Sequence, residues 1–494
     1  MIEIQVPGEG PLDCKICFIG EAPGATEART GKPFCGISGD LFSKLLAGAG
    51  IIRSQCYITN VVKTQPYKNN IAQFINLGTK LPKRSPEYDE YESFLYNELR
   101  NCSANVFVPL GNVALYALTR LTPPRITKRR GSIYSCIVPG LEGRKVIPTL
   151  HPACTLRKPT ATKGELRNPY MGNYFIAADL KRIKDDSTTS ELNLPQRTIH
   201  IRPTYLEALT YLEWINSHVS EIGFDIETSL TTYEISCISF ATSPTEGIMS
   251  IPFKYHDGDY FDPDQEVQIW KAIARILENP CILKIAQNIN FDAYYIYVRY
   301  GIRTFPIEDI FVAHRILYPD FPASLEFMTS ILTREPYYKS DGEDTIKGLE
   351  SSDDQFWIYN AKDSAVTIEI FPKLIAQLDK MENLKTYRRQ MAIIPSLMYM
   401  QHHGTQVNTD GIISASMDSA KRVTELTTQL ETELGYKIPD KFINSPKQQQ
   451  EYFYVIKKYP PYTVRGEITI NDTALKRLAR KGDKVAALIR DIKK

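Results

Sequence analysis

Asp225 and Glu227 stand at the end of the run Ile222-Gly223-Phe224-Asp225-Ile226-Glu227-Thr228. The run reads as a buried strand from Ile222 to Ile226. In a strand, residues two apart point to one face, so the two carboxylates project together. Like charges held side by side repel unless a cation lies between them, and a divalent metal with oxygen ligands fills that role. A lone D-x-E pair is more often a solvated strand end. Two later stretches change the balance. Gln287-Asn288-Ile289-Asn290-Phe291-Asp292 follows the apolar run Ile282 to Ala286 and leads into a helix. Tyr359-Asn360-Ala361-Lys362-Asp363 has helical character, so Tyr359 and Asp363, four apart, share one face. Four carboxylates, Asp225, Glu227, Asp292 and Asp363, can hold two divalent ions about 3.5–4 Å apart, which clamp a phosphodiester and activate water for in-line attack. The Tyr359 hydroxyl can orient that water.

The texts FDIETS, QNINFD and YNAKD resemble the three motifs of the DEDD exonuclease superfamily, in its tyrosine-bearing branch. The stretch between them is similar to the proofreading domain of family A DNA polymerases. ISCISFATSPTEGIMSIP (235–252) resembles its second and third strands, IEDIFVAHRIL (307–317) the helix carrying an aspartate, here Asp309, and Ser324-Leu325-Glu326 the start of the next helix. The resemblance covers about residues 196–382. It implies a ribonuclease H-like 3′–5′ exonuclease fold, a mixed sheet with flanking helices. It also implies Mg²⁺ or Mn²⁺ as two ions on Asp225, Glu227, Asp292 and Asp363, catalysis by these residues with Tyr359, and contact of Asn288 with substrate.

The elements that must position these groups lie in a chain of 494 residues, enough for about three domains. Hydrophobic content of 43% and charged content of 23% are those of a soluble globular protein. No apolar run reaches the ~18–20 residues of a membrane span, and Met1-Ile2-Glu3-Ile4 lacks the regions of a signal peptide. Nine scattered cysteines without a disulfide framework point to a reducing cytoplasm. The net charge of +2 gives no global footprint for nucleic acid, so any basic surface must be local.

Residues 11–185 alternate strand and helix, as in an α/β layer fold. Strands are expected at Ile16–Ile19, Cys56–Asn60, Val106–Pro109 and Val146–Thr149, and helices at Gly39–Ala49, Pro86–Arg100 and Asn112–Arg120. The polar residues Glu21, Asn60 and His151 fall at the carboxyl ends of strands, the edge where such sheets bind ligands. GEAPGATEARTGKPFCGISG (20–39), YITNVVK (57–63), LGNVAL (110–115), KRRG (128–131) and TLHPACTLR (149–157) resemble the uracil-DNA glycosylase superfamily, most closely its family 4. That resemblance implies a three-layer α/β/α domain reading a flipped base in a closed pocket. In it Phe34 stacks on the base and Asn60 reads its Watson–Crick edge. His151 donates to uracil O2 as charge grows on the leaving base, Glu21 positions or activates water, and Arg130 and Arg157 hold phosphate.

Four departures from family 4 stand out. Cys14 and Cys17 lie in the strand immediately before GEAPG, where residues three apart would not converge, and Thr64 replaces the cysteine after NVVK; both argue against an iron–sulfur cluster and against zinc. Ala153 replaces a serine that could hold phosphate. Residues 67–90 are longer than the family leads one to expect. The domain therefore either excises uracil or senses uracil and other modified bases without cleavage.

Residues 1–185 are thus read as the glycosylase-like domain, 186–198 as a polar linker, 199–382 as the exonuclease domain, and 383–494 as the start of a family A polymerase region. In that last part Lys385–His403 is expected to be one helix, broken at His402-His403-Gly404. Phe442-Ile443-Asn444-Ser445-Pro446-Lys447-Gln448 resembles the thumb, and the helical Thr473–Lys494 is rich in Lys and Arg. The segment after residue 404 lacks the two palm carboxylates of nucleotidyl transfer and the nucleotide-gripping helix, so a palm and fingers are expected on a longer or a separate chain. This order of domains resembles fusions that some bacteriophages encode, which implies a bacterial host cytoplasm and DNA, as a single-stranded 3′ end and as primer–template, for a partner. Two other readings stay open: a stand-alone 3′–5′ nuclease acting on RNA, and a non-enzymatic DNA-binding scaffold that recruits a polymerase chain.

Overall fold

The structure is a computed structural model that describes residues 4–78, 81–156, 169–229, 233–255, 258–339, 353–439, 441–464 and 467–493. It forms two compact units, Met1–His402 and His403–Lys494. Among the described residues no helix is long and apolar enough to cross a membrane.

The first layer system in the larger unit is a five-stranded sheet of β1 (Ile16–Gly20), β2 (Tyr57–Asn60), β3 (Val106–Pro109), β4 (Tyr134–Ser135) and β5 (Lys145–Val146), in the order β2-β1-β3-β5-β4. All neighbours are parallel except β4 and β5. A parallel sheet is covered on both faces, and its strands read as continuous apolar runs. Every residue of β1 and β3 is accordingly buried. One face packs Phe18, Val106 and Val108 against Phe42 and Leu46 of α1 (Ile37–Gly48) and Ile176, Leu180 and Ile183 of α4 (Pro169–Asp186). The other packs Cys17, Ile19 and Phe107 against Leu95 and Leu99 of α2 (Pro86–Arg100) and Val113 and Ala117 of α3 (Asn112–Thr119). Strand β5 is shorter than expected from sequence. Ile147 and Thr149 still donate to the Phe107 and Pro109 carbonyls, but Thr149 meets Leu110 only as an isolated bridge, because Pro109 has no backbone N–H to return a bond to the Ile147 carbonyl.

The second sheet has six strands: β6 (Ile199–His200), β7 (Glu221–Thr228), β8 (Ile235–Ala241), β9 (Ile248–Pro252), β10 (Leu283–Ala286) and β11 (Ile307–Asp309), in the order β11-β10-β7-β8-β9-β6. β7, β8 and β9 form an antiparallel meander, and β10 and β11 add in parallel to β7. Helices α5 (Tyr205–His218) and α6 (Pro263–Leu277) flank this sheet. α7 (Ile289–Tyr300), α8 (Ile310–Leu317) and α9 (Leu325–Leu332) follow in sequence, and the long α10 (Asp353–Lys380) lies along β7 and β8. Residues 307–317, expected to be a helix, are a short strand and then a helix, with Asp309 as the N-cap that accepts from the Phe311 backbone N–H at 2.8 Å.

The expected helix Lys385–His403 is two, α11 (Leu384–Met391) and α12 (Ile394–His403). Pro395 explains the break: its ring would collide with the carbonyl four residues back. Leu397 is correspondingly exposed, while Met391 and Ile394 are buried. In the smaller unit α13 (Thr409–Leu434) leads to a core of Leu430, Phe442, Phe453, Leu475 and Ile489. Its basic end is two helices, Asp472–Arg480 and Lys484–Ile492, separated at Gly482, whose φ of +93° favours glycine. Lys484 and Arg490 there pair with Glu433 and Asp472.

Candidate active sites

Strand β7 buries Ile222, Phe224 and Ile226 and turns Asp225 and Glu227 to the opposite face. Helix α10 brings Asp363 to the same place. Oxygen atoms of Asp225, Glu227 and Asp363 all lie within 4.8 Å of one another. Close approach of helix and strand is possible because residue 223 is glycine; a Cβ there would run into the Ser364 carbonyl. Asp292, in the first turn of α7, is buried, and its carboxylate accepts from the Ile226 backbone N–H at 3.2 Å. It thus stands beside the strand that carries the other two acids.

Burial, then the Asp363 and Glu227 carboxylates, push Asp225 well above the usual carboxylate range. Burial and Asp363 raise Glu227 to about 8, and burial and Asp225 raise Asp292. These are acids packed closer than their mutual repulsion favours, in a setting that a divalent cation would relieve. All are hard oxygen donors, so the set fits such an ion. Tyr359 lies one helical turn before Asp363, and its hydroxyl accepts a hydrogen bond from Lys339 Nζ at 3.0 Å. Asn288 starts α7 with φ of +63°, and its backbone N–H donates to Asp309 at 2.9 Å; the residue is exposed.

Three groups at this site escape a reading of the motifs. Asn360 is fully buried and donates from Nδ2 to Asp225 Oδ2 at 2.9 Å, while its own oxygen accepts from Ser250. The position lies inside YNAKD, and only the packing of α10 on β7 reveals its task. Tyr338 donates to Asp363 Oδ1 at 2.6 Å, and the Lys339 ammonium pairs with Asp363 Oδ2. Neither belongs to a motif.

The other candidate site is a cavity of about 330 Å³ at the carboxyl edge of the first sheet. Glu21, Phe34, Asn60 and His151 all line it. The register of β1 and β2 sets Gly20 opposite Asn60. A Cβ at Gly20 would strike both the Asn60 side-chain oxygen and the Phe34 ring, so glycine admits the platform and the amide together. Asn60 is 3% exposed, and its side-chain oxygen has no hydrogen-bond partner. A buried orphan acceptor costs free energy unless a ligand supplies its donor. His151 Nδ1 accepts from the Ala153 backbone N–H at 3.2 Å, which leaves the proton of the neutral ring on Nε2. The rings of Phe34 and His151 are 5.5 Å apart.

Glu27, Pro66 and Asn69 also line the cavity. Glu27 is buried and accepts from the Gly36 N–H at 3.1 Å; its place in GEAPGATEART, six residues after Glu21, is the signal for it. Asn69 comes from the segment noted for its length, and Pro66 immediately precedes it. Cys14 precedes β1 and lies with its sulfur 3.6 Å from that of Cys102.

Arg130 does not meet the expectation of a phosphate contact. It is 2% exposed, pairs with Asp179 through Nε at 2.8 Å, and packs between the rings of Phe175 and Phe327. A guanidinium in that position is consumed by a buried ion pair and offers nothing to DNA. Arg157 lies outside the described residues.

The uracil DNA glycosylase superfamily model matches residues 7–172. The type-4 uracil-DNA glycosylase of Thermotoga maritima is 39% identical over 155 residues, 31% of this chain and 71% of that enzyme. The chain belongs to the uracil-DNA glycosylase superfamily. A second type-4 enzyme of the superfamily, from Pyrobaculum aerophilum, is 32% identical over 188 residues, 37% of this chain and 87% of that protein. Beyond the glycosylase-superfamily domain, a family described as 3′-5′ exonuclease matches residues 204–379. A DNA polymerase of Bacillus phage SP01 is 23% identical over 516 aligned residues, 94% of this chain and 53% of that protein, so the chain spans about half its length. The protein is a hydrolytic DNA-processing enzyme in which a uracil-DNA glycosylase-superfamily domain is fused to a 3′–5′ exonuclease domain. Its domains act on DNA, and the exonuclease domain uses divalent metal, for which the acidic cluster on β7 and α10 is present.

Proposed function

We propose that this chain is the proofreading and uracil-recognising part of a phage family A DNA polymerase, with domain limits near residues 185, 198 and 382. The reading of the exonuclease rests on one observation above others: Asp225, Glu227 and Asp363, from elements far apart in sequence, bring their oxygens within 4.8 Å of one another. Asp225, Glu227, Asp292 and Asp363 would hold two Mg²⁺ or Mn²⁺ ions, which when bound stabilise the charge of an in-line phosphodiester displacement. The residues of the chain do the rest. Asn360 fixes the Asp225 carboxylate, Tyr359 orients the attacking water through its hydroxyl, and Asn288 lies where the terminal nucleotide enters. Hydrolysis of a 3′-labelled single strand by the purified protein, compared with the Asp225→Ala, Asp363→Ala double variant, tests the assignment.

In the second pocket an extruded uracil stacks on Phe34, and the Asn60 amide pairs with its Watson–Crick edge. His151 donates from Nε2 to O2, while Glu21 holds water near the sugar. The orphan oxygen of Asn60 supports this reading. Excision of uracil needs no metal, so abasic sites should form in EDTA; tighter binding to uracil-containing strands without cleavage would favour a sensor. The remaining half of the polymerase, as a continuation or a separate palm-bearing chain, is a partner to be sought in the host cytoplasm by co-purification.

A further inference from the structure

The segment Thr333–Lys339 joins α9 to the exonuclease site, and most of its anchors lie outside the exonuclease sheet. Arg182, on α4 of the glycosylase-like domain, donates to the backbone carbonyls of Gly131, Ser330 and Thr333. It therefore ties its own domain to the start of the segment. Arg334 reaches back to Asp186 at 2.6 Å and to the Asn193 carbonyl at 2.8 Å. Glu335 is buried and pairs with Arg197 at 2.8 Å. The Arg129 guanidinium, in the glycosylase-like KRRG text, covers the ring of Tyr337 at 5.0 Å. The next two residues reach the acidic cluster, where Tyr338 donates to Asp363 and Lys339 contacts both Asp363 and Tyr359.

We propose that Thr333–Lys339 is a strap through which the glycosylase-like domain organises the exonuclease site: Arg182 and Arg129 pin it, and Tyr338 and Lys339 position Asp363 and Tyr359. The physical basis is the distance over which a side-chain hydroxyl must be placed. Tyr338 holds one Asp363 oxygen in a fixed direction and leaves the other to the Lys339 ammonium, so the carboxylate is oriented from the strap as well as from α10. A segment with no helix or strand bonds of its own between Thr333 and Tyr338 keeps that geometry only if its side chains are held from outside. Two cations of KRRG are spent here on the neighbouring domain, Lys128 on Glu326 and Arg129 on Tyr337, while Arg130 pairs with Asp179 of its own domain. Tyr338 is a positioning residue, acting through Asp363. Arg182 and Arg129 act one step further back.

This inference rests on the assignment of Asp363 as a metal ligand, and the experiment separates the two. The full chain is compared with Arg182→Ala, Arg129→Gln, Tyr338→Phe and Asp363→Ala. Mn²⁺ affinity is measured by electron paramagnetic resonance without DNA. Hydrolysis of a 3′-labelled single strand is measured across a Mn²⁺ titration, and folding by circular dichroism and melting. Loss of an outer partner of a metal ligand weakens binding about 10–100-fold. The three strap variants should bind Mn²⁺ at least about tenfold more weakly, hydrolyse slowly at limiting Mn²⁺ and recover at saturating Mn²⁺, while circular dichroism shows them folded before metal is added, which separates the effect from mere instability. Parent affinity and parent rate in folded Arg182→Ala and Arg129→Gln would overturn the coupling. Parent affinity in Tyr338→Phe would overturn its last link, and that variant decides the matter if the arginine variants fail to fold. Activity retained by Asp363→Ala would instead sink the metal-site assignment itself.

Discussion

Removing the carboxylate of Asp225 or Asp363 takes charge from a metal site and little volume from the core. Either alanine variant should keep its melting temperature within a few degrees and lose hydrolysis by at least about 100-fold. Tyr359→Phe keeps the ring and should lose less. The pH dependence follows from burial. Asp225, Glu227 and Asp292 are held above the ordinary carboxylate range, Glu227 at about 8. Unfolded, these groups release their protons near pH 4–5, roughly. Between there and about pH 8 the folded metal-free protein binds more protons than the unfolded chain, so its stability falls as pH rises through that range. Divalent metal binds the deprotonated acids and should raise the melting temperature more at about pH 8.5 than at about pH 6. Melting curves with and without Mn²⁺ check this, and a pH-independent metal effect would count against the site. In the other pocket, Asn60→Asp reverses one complementarity of the amide and should relax discrimination of uracil against cytosine, read as abasic sites on matched oligonucleotides in EDTA.

The site is assembled by the fit of α10 on β7, and Gly223 is where that fit is tightest. Gly223→Ala would force a methyl against the Ser364 carbonyl and Ile368. Overpacking of this kind costs typically about 1–3 kcal/mol, so the variant should melt earlier. It should also lose hydrolysis beyond what stability explains, because Asp225 and Asp363 would part. The motifs made β7, the start of α7 and the Tyr359–Asp363 face legible in the sequence, because alternation and helical spacing are local properties. The same holds for the strand ends that carry Glu21 and Asn60, whereas His151 lies beyond the end of β5 and reaches the cavity from a loop. Tyr338, Lys339 and Asn360 were not legible, since their roles come from contacts across more than twenty residues of chain or across the helix–strand seam. Arg130 shows the converse: a basic motif reads as a phosphate contact until its buried ion pair with Asp179, under the ring of Phe327, is seen. Pro395 could have been read as a break, but the apolar spacing of Met391, Ile394 and Leu397 outweighed it.

At the scale of the molecule, the glycosylase-like and exonuclease parts fall in one compact unit, Met1–His402, and the segment between them is packed rather than free. Leu192 and Leu194 lie against the first core, and Arg197 pairs with Glu335 and Glu369. Residues 1–402 should therefore unfold in one transition by calorimetry, and Arg197→Ala should lower its temperature; two separate transitions would show that the domains fold independently. Metal-dependent cleavage at the acidic cluster is the central activity of the molecule as proposed. Its most direct test is gel analysis of a 5′-labelled single-stranded DNA incubated with Mn²⁺ and either the parent chain or the Asp225→Ala, Asp363→Ala double variant. The parent should give a ladder of products shortened from the 3′ end, and the variant should leave the DNA intact. A ladder of equal strength from the double variant would contradict this assignment.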